Sequence, residues 1–187
     1  ILDKSFFDIV INLGGYVDHY NKNLNYQNQY LAVKNLIEYF ENRNLECFIQ
    51  IGSSAEYGFT KSPQSENFPC NPKLEYGKAK LKATKYLQNI GKKKKIPIII
   101  LRLYQVFGPQ QSENRFIPIL INKCLNNDKF SCHSNEVYRD FLYIDDFTNL
   151  IKKILISKKN KKFFGRIFNV GFGKPLSLKL ISDKIKK

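Results

Sequence analysis

The chain has 187 residues, 43% hydrophobic and 14% aromatic, with a formal net charge of +15 at pH 7. This composition supports a sizeable core and excludes an intrinsically disordered chain. The longest aliphatic run, Ile98 to Leu101, is far short of a membrane span. The opening ILDKSFFDIV lacks the basic flank and apolar core of a secretory signal, so a cytoplasmic protein with no membrane partner is expected.

In chain order, FFDIVINLGG reads as a buried strand ending in a glycine turn. A helical stretch follows, about Tyr26 to Asn42, with Leu31, Leu36, Ile37 and Phe40 at helical spacing. CFIQIGSS is a second buried strand, followed by a loop carrying Pro63, Pro69 and Pro72. Asn71 and Pro72 suit the cap and first turn of a helix running to about Asn89. IPIIILRLY is a third buried strand. Strand and helix thus alternate with short connections, the pattern of a parallel sheet with right-handed crossovers. Beyond Gly108 the order loosens. RFIPILINKCL is expected to be helical, and RDFLYIDDF a short strand leading into a helix over about Asp145 to Ser157. GRIFNVGFG is another strand with a glycine-rich exit, and SLKLISDKIKK a closing helix.

The positive charge invites a nucleic-acid reading, but composition argues against it. The excess is almost all lysine, 26 Lys against 5 Arg, with abundant Asn, Ile, Phe and Tyr. That is a bias of the whole chain. The runs Lys92 to Lys95 and Lys158 to Lys162 fall at expected helix ends or loops, where cations stay solvated. Cys47, Cys70, Cys124 and Cys132 form no C-x-x-C pair and have no His at ligand spacing. Reduced thiols and no metal site are expected. The sequence contains no methionine, opens just before a strand and closes inside a helix. It reads as an internal piece of a longer protein.

In a parallel α/β sheet the working loops lie at the carboxyl ends of the strands. Here those ends are NLGGY, IGSSAEYG and RLYQVFGP. A phenol and an ammonium four residues apart are either a proton-transfer pair or an accident, and chance alone supplies roughly one or two Tyr-x-x-x-Lys matches in such a chain. There are three: Tyr30 with Lys34, Tyr57 with Lys61, and Tyr76 with Lys80. The first lies inside a helix away from strand ends, and the second spans a loop with glycine. Only Tyr76 and Lys80 begin a helix after a strand ending in Ser53 and Ser54. Residues four apart share a helix face, so the ammonium favours the ionised phenol and brings its proton affinity toward ambient pH.

IGSSAEYG, YGKAK, LRLYQVFGP, RDFLYIDD and FNVGFGKPLSL, in this order and spacing, resemble the extended short-chain dehydrogenase/reductase family. More narrowly, they resemble its NAD-dependent epimerase/dehydratase group acting on nucleotide sugars. The resemblance implies an α/β, Rossmann-like parallel sheet with helices on both faces, its N-terminal βαβ unit missing. Residues 1–110 would form a partial NAD(P)-binding domain, and 111–187 a mixed region with part of a substrate-binding subdomain. Tyr76 would be the catalytic acid/base, Lys80 its partner and a contact of the nicotinamide ribose, and Ser53 the catalytic hydroxyl. Leu13, Gly14 and Gly15 would pass the cofactor, NAD or NADP, with Tyr104 beside it. Arg139 would grip the nucleotide diphosphate, and a bidentate guanidinium suits that anion. Ser54, Gln105, Phe116 and Pro118 would border the sugar or nucleotide, and Arg102 would support structure near the cofactor. Two copies would pair as a homodimer.

The sequence departs from the family pattern in three ways. The phosphate-cradling G-x-x-G-x-x-G loop, expected ahead of everything here, does not occur. Gln105 and Gln29 stand where the family usually has Asn. Ser54 and Ala55 replace the Asp-Glu pair of dehydratases, which argues against 4,6-dehydration. The expectation is part of an NAD(P)-dependent nucleotide-sugar epimerase or 4-keto reductase, the piece alone being inactive and showing an uncovered sheet edge beside the Phe7 to Leu13 strand. The rival readings are a non-catalytic Rossmann-like binding or regulatory protein and, less well supported, a basic nucleic-acid-binding domain.

Overall fold

A computed structural model describes residues 7–16, 18–130, 137–157 and 161–186. In chain order the elements are β1 (Ile9–Asn12), α1 (Lys22–Asn25), a π-helical turn (Tyr26–Leu31), α2 (Ala32–Phe40), β2 (Cys47–Ser53) and α3 (Glu75–Lys94). Then follow β3 (Ile98–Leu103), β4 (Gln105–Phe107), α4 (Phe116–Leu125), β5 (Tyr138–Arg139), β6 (Phe141–Tyr143) and α5 (Ile144–Ile156). The last are β7 (Ile167–Val170), β8 (Leu176–Ser177) and α6 (Leu178–Ile185). The chain divides into two compact units: residues 1–103 with 154–169, and residues 104–153 with 170–187.

The first unit is built on a sheet of strand order β1-β2-β3-β7, in which β1, β2 and β3 pair in parallel. β3 is aliphatic except for the buried Arg102, and only Leu103 is more than marginally exposed. That is what a strand covered on both faces requires. Phe48, Ile98 and Ile100 point to one face and pack with Val33, Ile37 and Phe40 of α2 and Ala83, Leu87 and Ile90 of α3. The helical spacing of those side chains is why the two segments present a continuous apolar stripe. Ile49, Ile99 and Leu101 point to the opposite face and are also buried. This is the expected Rossmann-like parallel sheet.

Three details differ from the sequence expectations. β1 is half-buried along its whole length, where a buried strand was expected. It is the edge of the sheet, and among the described residues no strand pairs with its other side. The first helix starts earlier than expected and passes through a π-helical turn before α2. The helix after β2 starts at Glu75, with Leu74 as its cap, and not at Asn71. Asn71 is held elsewhere: its N–H donates to Tyr57 O, and it bridges to Gly58. Gly58 has a φ of +74° and lies so close to Asn71 that a side chain would collide with its carbonyl. The chain therefore stays extended until Leu74. At its far end α3 runs beyond Asn89 to Lys94, with Lys92, Lys93 and Lys94 in its last turn and left-handed Lys95 as its cap. Lysines there complement the helix dipole.

The loop between Gly58 and Asn71 is tied to β7. The buried Tyr57 donates its hydroxyl to Asn169 Oδ1 (2.7 Å). Asn169 Nδ2 donates to Gln64 O, and Asn169 N to Glu66 Oε1, each at 2.9 Å.

In the second unit, β4 and β6 pair in parallel and β5 and β8 antiparallel. The Asp140 carboxylate accepts the N–H groups of Phe172 (2.7 Å) and Gly173 (2.8 Å), fixing the glycine-rich exit of β7. No described helix is long and apolar enough to cross a membrane. Cys47, Cys70 and Cys124 are free thiols. Cys132 and residues 158–160 lie outside the described residues.

Candidate active site

Ser53 is the last residue of β2 and the cap of a 3₁₀ turn, Ser54–Glu56. Its Oγ accepts the Ala55 N–H (3.2 Å), which leaves the hydroxyl hydrogen available as a donor. The first turn of α3 lies directly on this turn. A Cβ at Gly77 would stand 2.5 Å from Ala55 O and 2.8 Å from Pro72 Cβ. Only glycine lets the backbones approach so closely. Tyr76 is thereby brought to the carboxyl end of β2, half-buried, its ring tilted against His19 at 5.1 Å between centres. One turn further on, Lys80 is 5% exposed. Its Nζ donates to Ile51 O (2.9 Å) and stands 5.9 Å from the centre of the Tyr76 ring. Ser53, Tyr76 and Lys80 therefore gather at one strand end. Ser54 opens the 3₁₀ turn, half-buried.

A chain of amides links Lys80 to the end of β1. Ile51 O also accepts Gln50 Nε2 (2.8 Å), Gln50 Oε1 accepts Asn12 Nδ2 (2.9 Å), and Asn12 Oδ1 accepts Gly14 N (3.1 Å). Leu13 is 67% exposed, and Gly14 and Gly15 are exposed beside it. Gln29, on the π-helical turn, donates Nε2 to Tyr16 O, while its buried Oε1 has no partner among the described residues. Leu13, the open glycine backbone and the Lys80 ammonium offer the apolar and donor groups that a nicotinamide ribose needs. No glycine-rich cradle for a pyrophosphate occurs in the sequence. The residues present thus fit the nicotinamide end of such a cofactor.

Burial pushes the Lys80 ammonium down from 10.5 to about 8, and the Glu56 carboxylate pulls it partly back up. The folded chain therefore gives up this proton before the unfolded chain does. Between about pH 8 and 10.5 the unfolded state binds the extra proton, so this group's contribution to stability grows as pH rises through that window. Urea midpoints measured on either side of the window should show that rise, and Lys80→Met should remove its share. An identical pH dependence in the variant would refute this.

The remaining expected site residues belong to the second unit. Tyr104 follows β3, and its N–H donates to Val170 O (3.0 Å). Gln105 opens β4 with an exposed side chain. Phe116 and Pro118 lie in the first turn of α4, Phe116 packing on Phe141 at 6.3 Å between ring centres. Arg139 is exposed on β5, its Nη1 donating to Tyr138 O (2.7 Å).

Sequence reasoning missed four residues of this region: His19, Gln50, Glu56 and Gly77. Glu56 carried a legible signal, because Ser53 and Glu56 have the S-x-x-E spacing of a capping box. That box is formed, with Ser53 N donating to Glu56 Oε1 at 3.0 Å. Arg102, expected to support structure, donates Nε to Glu56 Oε2 at 2.9 Å.

Residues 1–171 match the family described as NAD dependent epimerase/dehydratase. A dTDP-D-glucose 4,6-dehydratase of Dictyostelium discoideum is 30% identical over 202 residues, covering 99% of this chain and 46% of that protein. A CDP-abequose synthase of Salmonella typhimurium is 37% identical over 86 residues, 45% of this chain and 28% of its own. The UDP-glucuronic acid 4-epimerase from Bacillus cereus, solved in complex with UDP-glucuronic acid and NAD, superposes with a TM-score of 0.88 at 27% identity. That superposition covers 96% of this chain and 58% of the epimerase. The chain thus spans about half the length of these relatives. With the parallel sheet in place and the match running from the first residue to residue 171, the chain belongs to the NAD-dependent epimerase/dehydratase family.

Proposed function

We propose that this chain is part of a nucleotide-sugar epimerase or 4-keto reductase that uses NAD or NADP. The packing of the first turn of α3 on the Ser53 turn supports this reading, with Gly77 against Ala55 and Lys80 Nζ on Ile51 O. When bound, the nicotinamide supplies a reversible hydride acceptor. Tyr76 as phenolate takes the proton of a sugar hydroxyl, becoming the neutral phenol, and returns it in the reverse direction. The Lys80 ammonium stabilises the phenolate. Ser53 donates its free hydroxyl hydrogen to the same sugar oxygen and fixes its position. Leu13, Gly14, Gly15, Lys80 and Tyr104 hold the cofactor. Ser54, Gln105, Phe116, Pro118 and Arg139 receive the nucleotide sugar, with Arg139 on the diphosphate. Ser54 and Ala55 offer no acid for expelling water, which favours epimerisation or reduction over dehydration. A cytoplasmic homodimer belongs to the same proposal. So does weak cofactor binding by the 187 residues alone, which lack a pyrophosphate cradle.

The test is to incubate the protein as encoded with NAD(H) or NADP(H) and a panel of uridine, thymidine, cytidine and guanosine diphosphate sugars. NMR should reveal a sugar inverted at one carbon, or absorbance should report reduced cofactor consumed on a 4-keto sugar. Cofactor binding without turnover of any sugar would favour the non-catalytic reading.

A further inference from the structure

Glu56 is 0% exposed and sits at the centre of the Ser53 turn. Each carboxylate oxygen has its own donor: Oε1 takes the backbone N–H of Ser53 (3.0 Å) and Oε2 takes Arg102 Nε (2.9 Å). Arg102 is itself buried on β3, its guanidinium 4.6 Å from the centre of the Tyr57 ring, with Nη1 unpartnered among the described residues. Room for the carboxylate exists because residue 52 is glycine: a Cβ there would stand 2.7 Å from Glu56 Oε1. A buried ion pair is costly to assemble and gives little net stability, so its presence at this strand end calls for another account.

We propose that Glu56 is a positioning residue of the Ser53–Tyr76–Lys80 site: clamped by Arg102, its carboxylate fixes the Ser53 amide, so that the Ser53 hydroxyl stays aimed at the substrate oxygen. The proposal rests on the catalytic reading above. The Ser53 hydroxyl depends on the Ala55 N–H for its orientation, and Ala55 N is placed by the same turn that Glu56 closes. Glu56 is also the charge that opposes the effect of burial on Lys80.

The decisive variant is Glu56→Gln. A carboxamide has one acceptor oxygen for two donors, so Ser53 N–H or Arg102 Nε loses its partner. Misplacement of a reacting group by about 1 Å costs roughly 10²-fold. In the protein as encoded, Glu56→Gln should lower kcat by about that factor with KM near wild type. The alkaline limb of the pH profile should move to lower pH, and hydrogen exchange at the Ser53 amide should quicken. If the single variant does not fold, Glu56→Met with Arg102→Met removes the stranded guanidinium and still leaves the Ser53 N–H without its acceptor, and it carries the same expectations. Wild-type kcat in a folded variant overturns the proposal, as does a loss of kcat with either the alkaline limb or the Ser53 exchange rate unmoved. Tyr76→Phe, run alongside, separates the two levels. If it abolishes turnover and the Glu56 variants do not, only the positioning role falls. If it leaves turnover intact, the catalytic reading falls and this role with it.

Discussion

Tyr76→Phe should lower turnover by roughly 10²–10⁴-fold, the usual worth of a positioned acid/base group, while cofactor affinity stays near wild type. The substitution deletes one oxygen and keeps the ring, so the packing against His19 survives. Lys80 keeps its hydrogen bond to Ile51 O, because that bond does not involve the phenol. What disappears is the atom to which the proposal assigns proton exchange with the sugar. Cofactor titration by fluorescence and turnover of a sugar identified as above would be compared in the same preparation. Unchanged turnover would remove Tyr76 from the mechanism. A parallel loss of cofactor affinity would show that the phenol serves binding instead of proton transfer.

Gly77→Ala should damage both stability and activity. In an open helix this change is favourable by about 0.5–1 kcal/mol, because alanine has the higher helix propensity. Here the added Cβ meets the Ala55 carbonyl oxygen at 2.5 Å and the Pro72 ring at 2.8 Å. Neither is the far end of a flexible side chain, so α3 itself must move. Overpacking of this kind costs about 1–3 kcal/mol, enough to outweigh the propensity gain. Because Tyr76 precedes Gly77, the same shift carries the phenol away from Ser53 and should reduce turnover roughly 10²-fold. Gly91, in the same helix, is the internal control: a Cβ there meets the Ile98 Cδ1 methyl at 3.1 Å, a group that can yield. Thermal melting and turnover of the two variants decide the matter. A Gly77→Ala protein as stable and active as wild type would refute the close-approach argument.

What could be read from the sequence follows the physics of each segment. The strands of CFIQIGSS and IPIIILRLY announce themselves because burial on both faces demands near-continuous apolar runs, broken here only by Gln50 and Arg102 before the strand ends. The same pattern misleads at β1, because exposure at a sheet edge depends on partners and not on composition. The π-helical turn from Tyr26 to Leu31 leaves no compositional mark. The two-residue strands β5 and β8 are too short to carry a period. Asn71 and Pro72 have the chemistry of a helix start, but a tertiary bridge to Gly58 claims Asn71 first. In the site, Tyr76 and Lys80 were legible because their spacing coincides with a strand end. Gln50 and His19 were not, since one looks like a polar intruder in a strand and the other like an isolated loop residue. Both acquire meaning only when β1, β2 and α3 converge.

The ties made by Asn169 impose a timetable on synthesis. Tyr57 and Asn169 are separated by 112 positions, and ribosomes deliver the tyrosine first. Until β7 emerges, the phenol has no acceptor in Asn169, and Gln64 and Glu66 have nothing there to close upon. In the nascent chain the loop is therefore held at first by its own Gly58–Asn71 bridge, and its anchorage to the sheet through Asn169 comes last. A stop codon anywhere between the two would leave the three ties to Asn169 unmade.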